Sequence, residues 1–304
     1  MLGKLTLTDD QLKAVARAIR FDTVAALGHL GVGHIGGSLS VVELLTALYF
    51  DVMSIDPNDP DAKGRDRFIC SKGHAGPAVY AALSRRGYFS RDLLWTLNEG
   101  GTSLPSHCDM LRTPGVDMTT GSLGQGFSCA VGAAIGSKWA GDGARIYTLI
   151  GDGESQEGQI WEAAMLAGNE ELSNLFAFTD LNRYQLDGAV EDVNGLDSLE
   201  DKWRSFNWNV YTLSDGNDLI QLVSAIRGLK DYHPNDKPTM VLMHTVKGKG
   251  VSFVEAMRSN NHNANLSPEE TVRALNEIMG RETGITEEDV KAARFPDPIE
   301  GGTF

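Results

Sequence analysis

Two short apolar runs, IYTLI (146–150) and LFAFTD (175–180), are separated by a glycine-led turn, GDGESQEG, and one helix-length segment. This most constrains the fold. A run that is apolar over most of its length, without strict alternation, reads as covered on both faces. Two such runs joined through a helix make a βαβ unit, which is a pair of parallel strands with a right-handed crossover. Further elements extend the pattern. RFIC (67–70) and TMVLMH (239–244) read as strands, and 127–139, the segment after GDGESQEG to about Leu172, and 218–229 read as helices. Alternating strands and helices with short loops predict an α/β fold, a parallel sheet between helices.

The N-terminal part is helical. Thr8 and Gln11 have capping-box spacing, and Leu12, Val15, Ala16, Ile19 and Val24 continue a helical stripe to Leu30. Helices are also expected from about Leu39 to Phe50 and, after the turn SKGHAG, through Arg85. The segment 93–113 gives no clear pattern. The last forty or so residues are charged and contain proline. They are expected to form an extension, a candidate docking arm, so the organisation expected is one domain over 1–265 and an extension over 266–304.

Composition limits the function classes. With 304 residues, 41% hydrophobic and 22% charged, the chain can bury a full core. A net charge of −14, with no basic face in the sequence, argues against nucleic acid and against an acidic membrane surface. The N-terminus lacks the apolar segment of a signal peptide, and 127–135 is too short to span a bilayer. Three cysteines, Cys70, Cys108 and Cys129, form no C-x-x-C pair, which suits free thiols in a reducing compartment. The expected location is the cytoplasm.

Glycine-rich turns separate into ordinary turns and candidate sites. Gly31, Gly33 and Gly36 have the G-x-G-x-x-G spacing, but a helix precedes them where a dinucleotide site needs a strand. Gly141-Asp142-Gly143 lies between a helix and a strand and reads as a plain turn. Gly151-Asp152-Gly153 differs because it follows the strand IYTLI. It therefore sits at the carboxyl edge of the sheet, where a following helix N-terminus suits a phosphate. The βαβ unit brings the loop Asn182–Tyr184 beside Asp152. A carboxylate, an amide oxygen and a backbone carbonyl are hard oxygen ligands for Mg²⁺ or Ca²⁺, completed by phosphate oxygens and water. GDG alone is an ordinary βα turn; the spaced Asn182 turns the balance toward a metal–diphosphate site.

The stretch from GDGESQEGQIW to FTDLNRYQLDG resembles the thiamine diphosphate motif of transketolases. HIGGSLS, SKGHAGPAVYAAL, LPSHCD, TTGSLGQG and TVKGKGVSF resemble that family too, and the likeness covers about residues 10–265. It implies the family's diphosphate-binding fold, and it looks like the N-terminal subunit of a split transketolase. The activity implied is transfer of a two-carbon ketol unit from a ketose, expected to be phosphorylated or otherwise anionic, to an aldose. The implied cofactors are thiamine diphosphate and Mg²⁺, with Ca²⁺ or Mn²⁺ as substitutes. The implied partner is a second subunit carrying the pyrimidine-binding and C-terminal domains, in a heterotetramer.

By this resemblance Asp152, Asn182 and the carbonyl of Tyr184 match metal ligands, and Gly153 and Asn182 match diphosphate contacts. Gly121, Ser122 and Leu123 match a loop lining the cofactor, and His74 and Lys247 match cofactor contacts. His34, His107 and His262 match histidines around the reacting carbons of the sugar. Histidines titrate near neutrality, which suits proton transfer to and from hydroxyls. Glu157 and Glu162 match acidic residues that link two active sites through the dimer interface. The family usually has His-Gly where this chain reads His262-Asn263. His29 and His233 match no motif and read as structural. Two rivals remain at this point: an α-type subunit of a 2-oxo-acid dehydrogenase, and a non-catalytic regulatory subunit that keeps the cofactor site.

Overall fold

A computed structural model of the chain describes residues 2–231 and 235–299. Its centre is a five-stranded sheet: β1 (Arg67–Cys70), β2 (Ile146–Gly151), β3 (Leu175–Leu181), β4 (Asn209–Leu213) and β5 (Thr239–His244). The order across the sheet is β1-β2-β3-β5-β4, and every pair is parallel.

The burial pattern explains why these runs are apolar throughout. Alternate residues point to opposite faces of a strand. Tyr147, Leu149, Phe176, Phe178, Val241 and Met243 belong to one core, shared with the helix α1 (Asp9–Leu30) and its neighbours. Ile146, Ile150, Leu175, Ala177, Met240 and Leu242 belong to a second core, closed by Phe127, Ile160, Trp203 and Trp208. Both faces are thus covered, as the parallel arrangement requires.

Strand bounds follow the sequence closely, and helix bounds less so. The capping box forms at α1: Gln11 N–H donates to Thr8 Oγ1 at 3.3 Å, and Thr8 N–H donates to Gln11 Oε1 at 2.9 Å. Where a single helix is expected from Leu39, the chain instead makes Ile35–Leu39, Val42–Ala47 and a wider π-type turn over Leu48–Val52. The break falls at Ser40, whose hydroxyl donates to Asp180 at 2.7 Å, at the end of β3. β4 has no counterpart in the sequence reading. It is one of the two sheet edges and, unlike β1 at the other, has mostly half-buried residues, so no apolar run marks it.

Two pairings of remote segments shape the site. Val32–Gly33 pairs antiparallel with Ala264–Asn265, which brings the turns carrying His34 and His262 together. After Leu266 the chain stays against the body. The helix Pro268–Met279, with its own Ser267–Glu270 capping box, lies along α1. Arg85 then grips Asp297 at 2.7 and 3.0 Å, and Arg91 donates to the carbonyls of Phe295 and Pro296. Asp22, fully buried, accepts from both arginines. No described helix is long and apolar enough to cross a membrane.

Candidate functional site at the carboxyl edge of the sheet

β2 ends at Gly151, and the next residue, Asp152, is 3% exposed. Its carboxylate accepts from Gly153 N–H at 2.8 Å and from Arg183 N–H at 2.5 Å, so the turn after β2 and the turn after β3 are tied through it. Glycine is required at 153 because a Cβ there would lie 2.9 Å from Gln185 Cβ. The loop after β3 is folded by Asn182, whose Oδ1 accepts from Tyr184 N–H at 3.0 Å. Asp152, Asn182 and the Tyr184 carbonyl are thus placed together on adjacent strand ends, as the spacing predicts. Burial, and next the nearby Asp180 carboxylate, push the Asp152 carboxyl up to about 7. A buried carboxylate raised in this way is short of a cationic partner, which suits a metal.

Beneath this loop lies a buried polar core that the sequence reading does not contain. Asp180 is fully buried at the end of LFAFTD. It accepts from Lys72 Nζ at 2.5 Å, Ser40 Oγ at 2.7 Å, Asn182 Nδ2 at 2.8 Å and the Thr245 hydroxyl. Although burial opposes it, this donor set, Lys72 foremost, holds the Asp180 carboxyl below the usual carboxylate range. Lys72 is itself buried and also donates to the Gly37 carbonyl at 2.9 Å. Glu154 has a similar role on the other side. It accepts from Ser71 Oγ at 2.5 Å, Gly124 N–H at 2.8 Å and Gly151 N–H at 2.9 Å. Six separate stretches, at 40, 71–72, 124, 151, 182 and 245, therefore converge on two buried carboxylates. The available signal was a charged residue inside or beside each apolar or glycine-rich motif: Lys72 in SKGHAG, Asp180 in LFAFTD and Glu154 in GDGESQEG.

Four histidines meet on the opposite wall. The ring of His34 lies 5.3 Å from that of His107 and 5.6 Å from those of His74 and His262, and His74 and His262 are 4.8 Å apart. They come from segments as far apart as 34 and 262. The Tyr80 hydroxyl lies 2.8 Å from the carbonyl oxygens of Pro105 and His107, which fixes the His107 loop. Asn261, which no motif singles out, is fully buried and donates to the carbonyls of Lys247 and Val254. Gly36 has to be glycine against it, since a Cβ there would fall 2.0 Å from Asn261 Oδ1.

The histidines are expected from sequence to titrate near neutrality, and the structure shifts that. Burial, then the His107 ring and Lys247, lower His34 to about 4. Burial and Lys247 lower His262 to about 3. Burial lowers His107, and burial with Lys72 lowers His74. In the single chain these rings are neutral at pH 7, each with one donor and one acceptor nitrogen.

The remaining residues fall into place around this cleft. Lys247 is 4% exposed and donates to the Tyr184 carbonyl at 3.0 Å. Gly121 adjoins the His107 ring, and Ser122 and Leu123 are exposed on the same loop. Glu157 and Glu162 face solvent at the start of the helix Gly158–Asn169, outside the histidine cluster, and Met165 and Leu166 are exposed further along it. A cavity of about 550 Å³ opens beside Asp152, between Arg183, Glu191, Leu199 and His244.

The plainer readings hold elsewhere. α1 precedes the Gly31–Gly36 motif, and Gly141–Gly143 joins a helix to β2. His29 bonds the Val290 carbonyl at 2.9 Å. Cys70 and Cys108 are free and buried, and the Cys70 thiol is pushed up by its Cys108 neighbour and by burial, as in inert structural thiols. His233 lies outside the described residues.

This arrangement, a carboxylate-and-carbonyl pocket at the strand ends facing a histidine cluster, is that of a cofactor-binding α/β enzyme domain. A family model described as the thiamine diphosphate binding domain of transketolase matches residues 11–292, and the chain belongs to that family. Among curated proteins, the 6-deoxy-6-sulfo-D-fructose transketolase subunit of a Clostridium species is 53% identical over 88% of this chain and 96% of its own length. An apulose-4-phosphate transketolase subunit from Phocaeicola vulgatus is 41% identical over 81% of this chain and 86% of its own. Among solved structures, transketolases from Pichia stipitis and Leishmania mexicana superpose with TM-scores of 0.83 at 28% and 29% identity. The match covers 93% and 92% of this chain but only 43% of each of those chains.

Proposed function

We propose that the chain is the diphosphate-binding subunit of a two-chain transketolase, which moves a two-carbon ketol unit from an anionic ketose to an aldose. The observation that carries this reading is the convergence of His34, His74, His107 and His262 beside the Asp152–Asn182–Tyr184 loop. Two relatives matched over most of their own length bear names of transketolase subunits, which supports a partner chain. The exposed apolar residues Met165 and Leu166, next to Glu157 and Glu162, suit an interface for it.

The residues present fit thiamine diphosphate and Mg²⁺. Asp152, Asn182 and the Tyr184 carbonyl would hold the metal, and the cation now touching that carbonyl is the Lys247 ammonium. Gly153, Asn182, His74 and Lys247 would hold the diphosphate, and Gly121, Ser122 and Leu123 would line the cofactor. When bound, the cofactor supplies an electron sink for cleavage of the bond beside the ketone. This chain's part is positional and protolytic. Neutral His34, His107 and His262 can each accept a proton from a sugar hydroxyl on one nitrogen while donating from the other. His74, lowered by burial and by Lys72, serves the cofactor.

The test is ketol transfer by the assembled complex, with 6-deoxy-6-sulfo-D-fructose and fructose 6-phosphate compared as donors. His34→Ala and His107→Ala should lower turnover by roughly 10²–10⁴ at saturating cofactor. His74→Ala should raise the cofactor concentration needed. Turnover unchanged by His107→Ala would point to a non-catalytic, regulatory subunit instead.

A further inference from the structure

Lys247 joins two parts of the site that sequence reading treats separately. Its Nζ donates to the Tyr184 carbonyl at 3.0 Å and lies 3.3 Å from His262 Nδ1, in a residue 4% exposed. Burial, and next the Lys72 charge, bring its pKa down to about 8, against the attraction of Asp180 and Asp152. A carbonyl oxygen has two lone pairs, so an ammonium on one of them stands a positive charge beside the place where a metal would sit on the other. Two cations on one part-buried oxygen repel, because such a site screens charge less than bulk water does. The Asp180 carboxylate is already committed to Lys72, Ser40, Asn182 and Thr245, so it does not relieve the conflict.

Resting on the metal–diphosphate reading above, we propose that the Lys247 ammonium is a resident counter-ion of the metal loop that makes divalent-metal binding conditional on diphosphate. A metal arriving alone competes with Lys247 at Tyr184. A diphosphate arriving with it gives the ammonium an anion to move to, and the two cations then share one polyanion. His262, the second contact of Lys247, has its Nδ1 facing the ammonium, so the same movement releases that nitrogen for the sugar side of the cleft.

The experiment equilibrates Mn²⁺ with the full chain by dialysis, alone and with inorganic pyrophosphate on both sides of the membrane, and counts the excess Mn²⁺ on the protein side, so that chelation by pyrophosphate itself cancels. Wild type should bind Mn²⁺ weakly alone and at least tenfold more tightly with pyrophosphate. Lys247→Met should bind Mn²⁺ alone at least tenfold more tightly than wild type and lose most of the pyrophosphate effect. Lys247→Arg should behave as wild type. Lys247→Gln provides a second neutral variant, and thermal melting confirms that each variant is folded. Mn²⁺ binding that is lost in Asp152→Asn yet unchanged in both neutral variants overturns the counter-ion role alone. Binding indifferent to Asp152→Asn in every background overturns the metal reading and the inference with it.

Discussion

Replacing Asp180 with asparagine tests the hidden half of the site. Asp180 is fully buried and pairs with the Lys72 ammonium at 2.5 Å, while also taking bonds from Ser40, Thr245 and Asn182. Asparagine keeps the shape and one acceptor oxygen but removes the charge, so the buried Lys72 ammonium loses its counter-ion. Breaking a buried pair by removing one partner costs about 3–5 kcal/mol. That is a large share of the roughly 5–15 kcal/mol that holds a typical protein folded. The melting temperature should fall by on the order of 10 °C, read by circular dichroism. Lys72→Met combined with Asp180→Asn should recover much of the loss, because no unpaired buried charge remains. Since Asp180 also orients Asn182, the single variant should bind metal about 10–100-fold more weakly. A stability loss below about 1 kcal/mol, or no recovery in the double variant, would refute the assignment of Asp180 as the electrostatic anchor of the loop.

Two further predictions concern pH. With Asp152 raised to about 7, divalent metal must displace a proton below that pH, so Mn²⁺ affinity should drop about tenfold per unit from pH 7 downward and level off above it; calorimetry across pH 5.5–8.5 checks this, and a flat profile would count against Asp152 as a ligand. His34 and His262 are lowered to about 4 and about 3, so the fold favours the neutral rings: their contribution is fully present above about 6.5 and is lost as pH falls toward those values. Urea unfolding at pH 7.5 and 5 should show lower stability at pH 5, and His34→Gln should flatten the difference; an equal pH dependence in the variant would contradict it.

The sheet and the Asp152–Asn182 loop were legible because their physics is local. A strand covered on both faces is apolar over most of its length, and RFIC, IYTLI, LFAFTD and TMVLMH each show such a run. The Asp152–Asn182 neighbourhood follows from one βαβ unit. β4 was hidden because none of its residues is fully buried, unlike RFIC at the opposite edge. Asp180, Lys72 and Glu154 were hidden because their partners lie far away in the chain, as in Lys72 with Asp180 and Ser71 with Glu154, and Asn261 because it bonds backbone carbonyls, which leave no mark in the sequence. The resemblance brought the histidines together, but only the pairing of Val32–Gly33 with Ala264–Asn265 explains how His34 and His262 meet. The neutral state of those rings was likewise out of reach, since it depends on burial and on Lys72 and Lys247 standing beside them.

The most direct test of the two-chain reading is an assay of the chain alone. In the family this chain resembles, the glutamate that activates thiamine diphosphate comes from the pyrimidine-binding domain of the neighbouring subunit. The Asp152 loop and the histidine cluster belong to the diphosphate side. Ketol transfer should be measured for the purified chain with saturating Mg²⁺ and thiamine diphosphate over several anionic ketose donors, then again after adding the partner subunit. No turnover is expected from the chain alone, and full turnover from the pair. Full turnover by the isolated chain would contradict the two-chain reading.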